Sequence, residues 1–106
     1  MAEALVNPLR IHADAMSELD AAIGWYNQRQ FGLGLALHIA VQSILDRIAE
    51  NPLRGMSSGR HQYRYWRTPR FPYAIYWVEL SDTTWVIAIA HTRQRPDYWK
   101  HRSPSE

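Results

Sequence analysis

Phe71-Pro72-Tyr73-Ala74-Ile75-Tyr76-Trp77-Val78-Glu79-Leu80 and Thr84-Trp85-Val86-Ile87-Ala88-Ile89-Ala90-His91 are two runs of β-branched and aromatic residues, joined by the polar triplet Ser81-Asp82-Thr83. Such residues fit a pleated, half-buried surface and a short polar link closes a hairpin, so the stretch predicts two central antiparallel strands. Side chains alternate across a strand. Tyr73, Ile75 and Trp77 share one face of the first strand, with Ala74, Tyr76, Val78 and Leu80 on the other. In the second strand Trp85, Ile87 and Ile89 stand against Val86, Ala88 and Ala90. Neither face is polar, which predicts a hairpin covered on both sides.

Upstream, Leu9-Arg10-Ile11-His12 alternates briefly after Pro8 and reads as a short edge strand. Asp14 is the expected N-cap of a first helix running to about Arg29, with Leu19, Ala22, Ile23 and Tyr26 at helical spacing and Glu18 and Asp20 in the first turns. Phe31-Gly32-Leu33-Gly34 interrupts the pattern; Leu37, Val41, Ile44, Leu45 and Ile48 resume it until Asn51-Pro52 ends a second helix. The glycines read as a helix–helix turn, because a phosphate loop needs a preceding strand and a following lysine that are missing here. A helical hairpin with one apolar stripe on each helix covers one face of a small sheet. The other face is expected to need a partner.

Downstream of the helices, Arg54 to Gly59 has a loop composition, and Arg60 to Arg67 alternates His61, Tyr63, Tyr65 and Arg67 with Gln62, Arg64 and Trp66. This strand is expected to pair with the one opening at Tyr73, through Thr68-Pro69-Arg70. After His91 the apolar pattern gives way to a basic, aromatic tail from Thr92 to Arg102 that ends in Ser103-Pro104-Ser105-Glu106. The expected fold is α+β in the order β-α-α-β-β-β, with a helical hairpin packed on one face of a small antiparallel sheet. The chain reads as one domain over residues 1–106, with 1–7 and 103–106 as flexible ends.

A chain of 106 residues is long enough to bury roughly two thirds of its unfolded surface without a staple. It contains no cysteine, which removes disulfides, thiolate metal sites and cysteine catalysis from consideration. No apolar run approaches the roughly 20 residues of a membrane helix, and the chain reads as soluble and cytoplasmic. The net charge of +2 hides a division: Met1 to Leu53 carries three basic against six acidic residues, Arg54 to Glu106 nine against four, so the halves stand at −3 and +5. Eleven of the twelve basic residues are arginine, which favours forked contacts to phosphate or carboxylate over point charges. Arg60, Arg64, Arg67, Arg93 and Arg95 are the candidate target-binding cations, and the tail from Arg93 to Arg102 and the strand from Arg60 to Arg67 are expected to form one basic surface. The five histidines show no metal-ligand spacing, and neither a metal nor another cofactor is expected. His91 closes a central strand, where a histidine held by neighbouring backbone is commoner than a catalytic one. Tyr98 and Trp99 either lock the tail onto the sheet or contact a target. Trp25, Tyr26, Trp66, Trp77 and Trp85 read as core or interface fillers.

The Ala13-Asp14-Ala15 helix start leading through Leu19 to Trp25-Tyr26, the Phe31-Gly32-Leu33-Gly34 turn, Ile48 to Pro52, Arg70-Phe71-Pro72-Tyr73 with Ile75-Tyr76, and Ala88 to His91 followed by Arg93, Arg95-Pro96, Tyr98-Trp99 and Arg102 recur together in one family. In this order they resemble the RelE/ParE superfamily of small bacterial toxins, the poison half of type II toxin–antitoxin pairs, and above all its ParE-type or plasmid stabilisation branch. The resemblance implies a cognate antitoxin whose C-terminal segment wraps the toxin and covers the second sheet face. It also implies either a dimer or a toxin–antitoxin hetero-oligomer. ParE-like members poison DNA gyrase without an active site of their own; RelE-like members cut mRNA on the ribosome without a metal. For the second activity His91, Tyr98, Arg67 and Arg93 are the candidate catalytic residues, with His61 a further proton carrier. Lysines that RelE-like members place around the scissile phosphate are missing from the sheet region, so the resemblance favours gyrase. A non-toxic binding module with the same fold is a third reading.

Overall fold

The computed structural model describes residues 7–59, 63–95 and 97–104. Its elements are β1 (Leu9–Ile11), α1 (Ala13–Arg29), α2 (Leu33–Glu50), β2 (Met56–Ser57), β3 (Arg64–Arg67), β4 (Tyr73–Glu79) and β5 (Thr84–His91). They build a five-stranded sheet in the order β1-β5-β4-β3-β2 with the helical hairpin on one face. The sheet is mixed, not wholly antiparallel as expected, because β1 pairs parallel to β5. Parallel neighbours need a long crossover, and here the helices and the whole meander lie between the two strands. β2 falls in the segment that composition marked as loop. The strand expected from Arg60 to Arg67 is β3 and starts at Arg64; Arg60 and His61 lie outside the described residues.

His12, not Asp14, caps α1: its Nδ1 accepts the Asp14 N–H at 3.0 Å. An imidazole lone pair here takes the place of the usual side-chain oxygen, and Asp14 falls inside the first turn, where the helix dipole favours it. Gly32 sets off α2 from the left-handed region, φ 86°. Gly34 packs directly against α1. Its N–H donates to Asn27 Oδ1 at 2.8 Å, and a Cβ there would stand 2.5 Å from the Ile23 carbonyl oxygen. Gly34→Ala is therefore expected to destabilise the fold by about 1–3 kcal/mol, read as a lower urea midpoint. Gly24→Ala, with open space around it, should hold or raise the midpoint, and equal behaviour of the two variants would refute the close-approach argument.

The first core lies between the helices and the sheet, where Leu19, Leu37, Val41, Ile44 and Ile48 meet Ile75, Trp77, Val86 and Ile89. Trp77 is fully buried and its indole N–H donates to the Pro52 carbonyl at 2.9 Å. In the β4–β5 register Tyr76 faces Ala88 and Trp77 faces Val86, which leaves Ile87 as an inserted residue, a β-bulge. The expected alternation breaks there: Ile87 and Ala88 both join the second face, and Ile89 crosses to the helices. That second face carries its own core of Val78, Trp85, Ile87, Ala88 and Trp99. Trp99 is 2% exposed. The cover expected from a partner is thus provided by the chain's own tail, whose Trp99 packs in this cluster and against the rings of Tyr63 and Tyr76. Large apolar side chains remain exposed on the helical hairpin instead, among them Trp25, Leu35 and Ile39 on the helices and Phe31 in the turn between them. Among the described residues no helix is long and apolar enough to cross a membrane.

Candidate functional site: an arginine and tyrosine cleft beside a tail latch

The tail is tied down by charge as well as by Trp99. β1 ends opposite Val86, whose carbonyl accepts the His12 N–H at 2.8 Å, so the outer edge of β5 beyond that point has no strand beside it. Glu18 of α1 and Arg102 of the tail take its place. Glu18 Oε1 accepts the Ile89 N–H at 2.9 Å, and Arg102 Nη1 donates to the Ile87 carbonyl at 2.9 Å. The two side chains meet in a forked pair, Nη1 to Oε1 at 3.1 Å and Nη2 to Oε2 at 2.9 Å. The Tyr98 hydroxyl donates to the same Oε2, and Arg102 Nε, buried without a hydrogen bond, faces Asp14 Oδ2 at 3.6 Å.

Burial first, then the hydrogen bond and charge of Glu18, push the Tyr98 phenol well above its ordinary value, against the opposing pull of Arg102. A phenol that resists ionisation in the fold but not in the unfolded chain favours the fold below about pH 10, and that contribution is lost as pH rises further. Tyr73 and Tyr76, also pushed up and first by burial, act in the same direction. Stability is therefore expected to be flat around pH 8–9 and to fall beyond about pH 10. In Tyr98→Phe the fall should be shallower, and an equally steep one in denaturation midpoints against pH would contradict this assignment.

Next to the latch the sheet opens into a cleft of about 370 Å³. Its floor is the buried pair Ala74 and Ala90, opposite one another on β4 and β5, and the cleft exists because these side chains are small. Tyr65 and Tyr76 form one wall, with ring centroids 5.3 Å apart at 34°, and Tyr76 leans in turn on Trp99 at 4.7 Å and 36°. Arg67 and Arg95 are exposed and line the cleft from β3 and the tail. Asp97 is its carboxylate. His91 borders this cleft and also a second, apolar pocket of about 290 Å³ lined by Trp25, Tyr26 and Tyr73. His91 Nδ1 accepts the Arg93 N–H at 3.0 Å, so the neutral ring carries its proton on Nε2 and offers a donor there.

Residues 9–96 match the family described as ParE toxin of type II toxin-antitoxin system, parDE. The chain belongs to the ParE toxin family. A solved structure titled "Chromosomal ParDE TA system from P. aeruginosa" superposes with a TM-score of 0.67 at 18% identity, covering 85% of this chain and 100% of that one. No curated protein sequence matches the chain. Membership makes this a type II toxin with an antitoxin as its partner.

Of the residues that the sequence pointed to, the toxin fold brings Arg67 and Arg95 together in the cleft. Arg64 does not join them. It pairs with Trp77, whose ring lies in the helix-side core, and so emerges on that face; the expectation of one basic surface holds for only part of the set. Arg93 is exposed in the turn after β5 and its backbone is tied to His91. Tyr98 edges the cleft, but its hydroxyl is committed to Glu18. Trp99, expected as a possible target contact, is a core residue of the second face and reaches no target without unpacking the tail. Arg60 lies outside the described residues. Sequence reading passed over Glu18, Arg102 as its partner, and the Tyr65–Tyr76 wall. One signal for Glu18 was present: it sits at helical spacing among Ala15, Leu19 and Ala22, on the stripe that α1 buries.

Proposed function

We propose that this ParE-family toxin stops growth by binding DNA gyrase, with the exposed guanidinium groups of Arg67 and Arg95 as its principal contacts, and that its antitoxin neutralises it by masking that surface in the cytoplasm. The observation that carries this reading is the engagement of two of the candidate proton carriers, Tyr98 and His91. The Tyr98 hydroxyl is bound to Glu18 and the His91 Nδ1 lone pair to the Arg93 N–H, while the arginines stay protonated at any relevant pH. Positioned acid–base groups contribute on the order of 10²- to 10⁴-fold in rate, and a cleft whose tyrosine and histidine are occupied in this way is better suited to holding a partner than to cutting one.

The test is induced expression of the chain alone and with the antitoxin gene beside it, followed by gyrase supercoiling and translation assays side by side. Growth arrest with loss of supercoiling is expected, relieved by the antitoxin, and His91→Gln should remain toxic. Rapid mRNA cleavage in the translation assay, abolished by His91→Gln in a folded protein, would replace this reading with the RelE-type nuclease. Folded protein that arrests nothing would leave the third reading, a binding module.

A further inference from the structure

We propose that the apolar pocket between α1 and the paired ends of β4 and β5 binds a small neutral aromatic ligand, held against the surrounding rings and hydrogen-bonded through one acceptor atom to His91. Neither Arg67 nor Arg95 lines this pocket, and the inference does not depend on what those arginines contact.

One turn of helix and one cross-strand pair build the site. Trp25 and Tyr26 follow Ala21 and Ala22 by four positions, so α1 sets two large rings one turn along from two small side chains. Opposite them stand Tyr73 and His91, which pair across β4 and β5. The alanines leave about 290 Å³ between these rings. Successive rings meet at steep angles, 80° for Trp25 and Tyr26, 64° for Tyr26 and Tyr73, and 76° for Tyr73 and His91. A flat ligand in such a corner stacks on one ring while its edge meets the next. Trp25 is 50% exposed, yet its ring is held: the Arg29 guanidinium lies 3.5 Å over it, and Arg29 Nη1 donates to the Trp25 carbonyl at 3.3 Å. The wall is set before a ligand arrives, which spares binding the cost of ordering it.

Charge and hydrogen bonding narrow the occupant. No carboxylate and no guanidinium lines the pocket, so nothing there compensates a buried charge of either sign, and Arg29 on Trp25 adds repulsion against a cation. The polar groups of the lining are two phenols and the His91 ring, whose Nδ1 already accepts the Arg93 N–H and whose Nε2–H is left to donate. A ring nitrogen or a carbonyl oxygen on the ligand satisfies it. The volume lies at the lower end of ligand pockets, which run from about 300 to 1,000 Å³, and suits a single ring or a fused pair.

Titration of the intact toxin, followed by nuclear magnetic resonance of the tryptophan indole N–H groups, tests this without reference to growth. Probes of similar shape are compared at neutral pH: quinoline, which carries a ring-nitrogen acceptor; indole, which carries a donor instead; and N-methylquinolinium, a cation. Quinoline is expected to move the Trp25 resonance saturably, with a Kd of about 1 mM or tighter, as about ten non-hydrogen atoms at modest efficiency give. The resonances of the buried Trp77 and Trp99 should stay in place. Indole should bind about twofold to tenfold more weakly, the worth of one hydrogen bond, and N-methylquinolinium should not saturate. His91→Phe should bring quinoline down to the affinity of indole. Ala21→Leu, at an exposed helix position where leucine fills the pocket and costs the helix little, should abolish saturation in a folded protein. No saturable movement of Trp25 by quinoline, unchanged binding in Ala21→Leu, or indole binding as tightly as quinoline would overturn the proposal. Tighter binding of N-methylquinolinium would overturn it in favour of a cation cage, and movement of Trp25 by purified antitoxin but not by quinoline in favour of a seat for a partner's side chain.

Discussion

Replacing Arg102 with alanine should destabilise the fold by about 3 kcal/mol, the low end for breaking a buried ion pair. The Arg102 side chain is 9% exposed and that of Glu18 19%, so some water reaches the carboxylate and the upper end of that range is not expected. Deletion strands three groups at once: both Glu18 oxygens lose the fork and the Ile87 carbonyl loses its donor. For a domain of this size the melting temperature moves by about 4–8 °C per kcal/mol, so a drop of at least about 12 °C is expected. Arg102→Lys should recover less than half, since a single ammonium cannot span two carboxylate oxygens and a carbonyl. Adding Glu18→Gln to Arg102→Ala should cost far less than the sum of the single changes, because the pair acts as a unit. A loss below about 1 kcal/mol for Arg102→Ala would mean that the pair behaves like a surface salt bridge and does not hold the tail.

Reversing both cleft charges, Arg67→Glu with Arg95→Glu, should abolish toxicity while leaving the thermal transition in place. Both side chains are exposed, so the fold loses little. The target loses two charged hydrogen-bond donors, about 1.5–3 kcal/mol each, or about 3–6 kcal/mol together, a factor of roughly 10² to 10⁴ in affinity. Growth under induction and circular dichroism of the purified variant decide it; a folded double variant that still arrests growth would place the target contact elsewhere. Truncation at Arg93 is a poor substitute for this experiment. It removes Trp99 from the second core and Arg102 from Glu18, so loss of toxicity there would report unfolding.

The sequence by itself determined every element except the two-residue β2, and much of their order. The β4–β5 hairpin follows from two β-branched, aromatic runs around a polar triplet, and α1 and α2 from apolar spacing stopped at Phe31-Gly32 and Asn51-Pro52. These are local patterns, because period and turn chemistry are written within a few neighbouring residues. The face of each β4 side chain was equally readable, and the β5 faces failed only at the bulge at Ile87, which comes from how two strands fit and leaves no mark in either one.

Only the tertiary structure decided what covers the second face and what the candidate residues do. Trp99 could be a target contact or a core filler from its neighbours in sequence alone. It becomes core because the latch draws the tail over the sheet, where Tyr63, Tyr76 and the apolar second face receive its ring. Glu18 and Arg102 are 84 positions apart; local spacing puts Glu18 on the stripe that α1 buries but names no partner for it, and nothing local distinguishes Arg102 from an ordinary tail cation. They become a pair because β1 stops short of the end of β5 and leaves two backbone groups to be satisfied. Arg64 and Arg67, three positions apart, fall on opposite faces of β3 by the strand's period of two. Which of those faces opens into a cleft was set by Ala74 and Ala90, two small side chains brought opposite one another only when β4 and β5 pair.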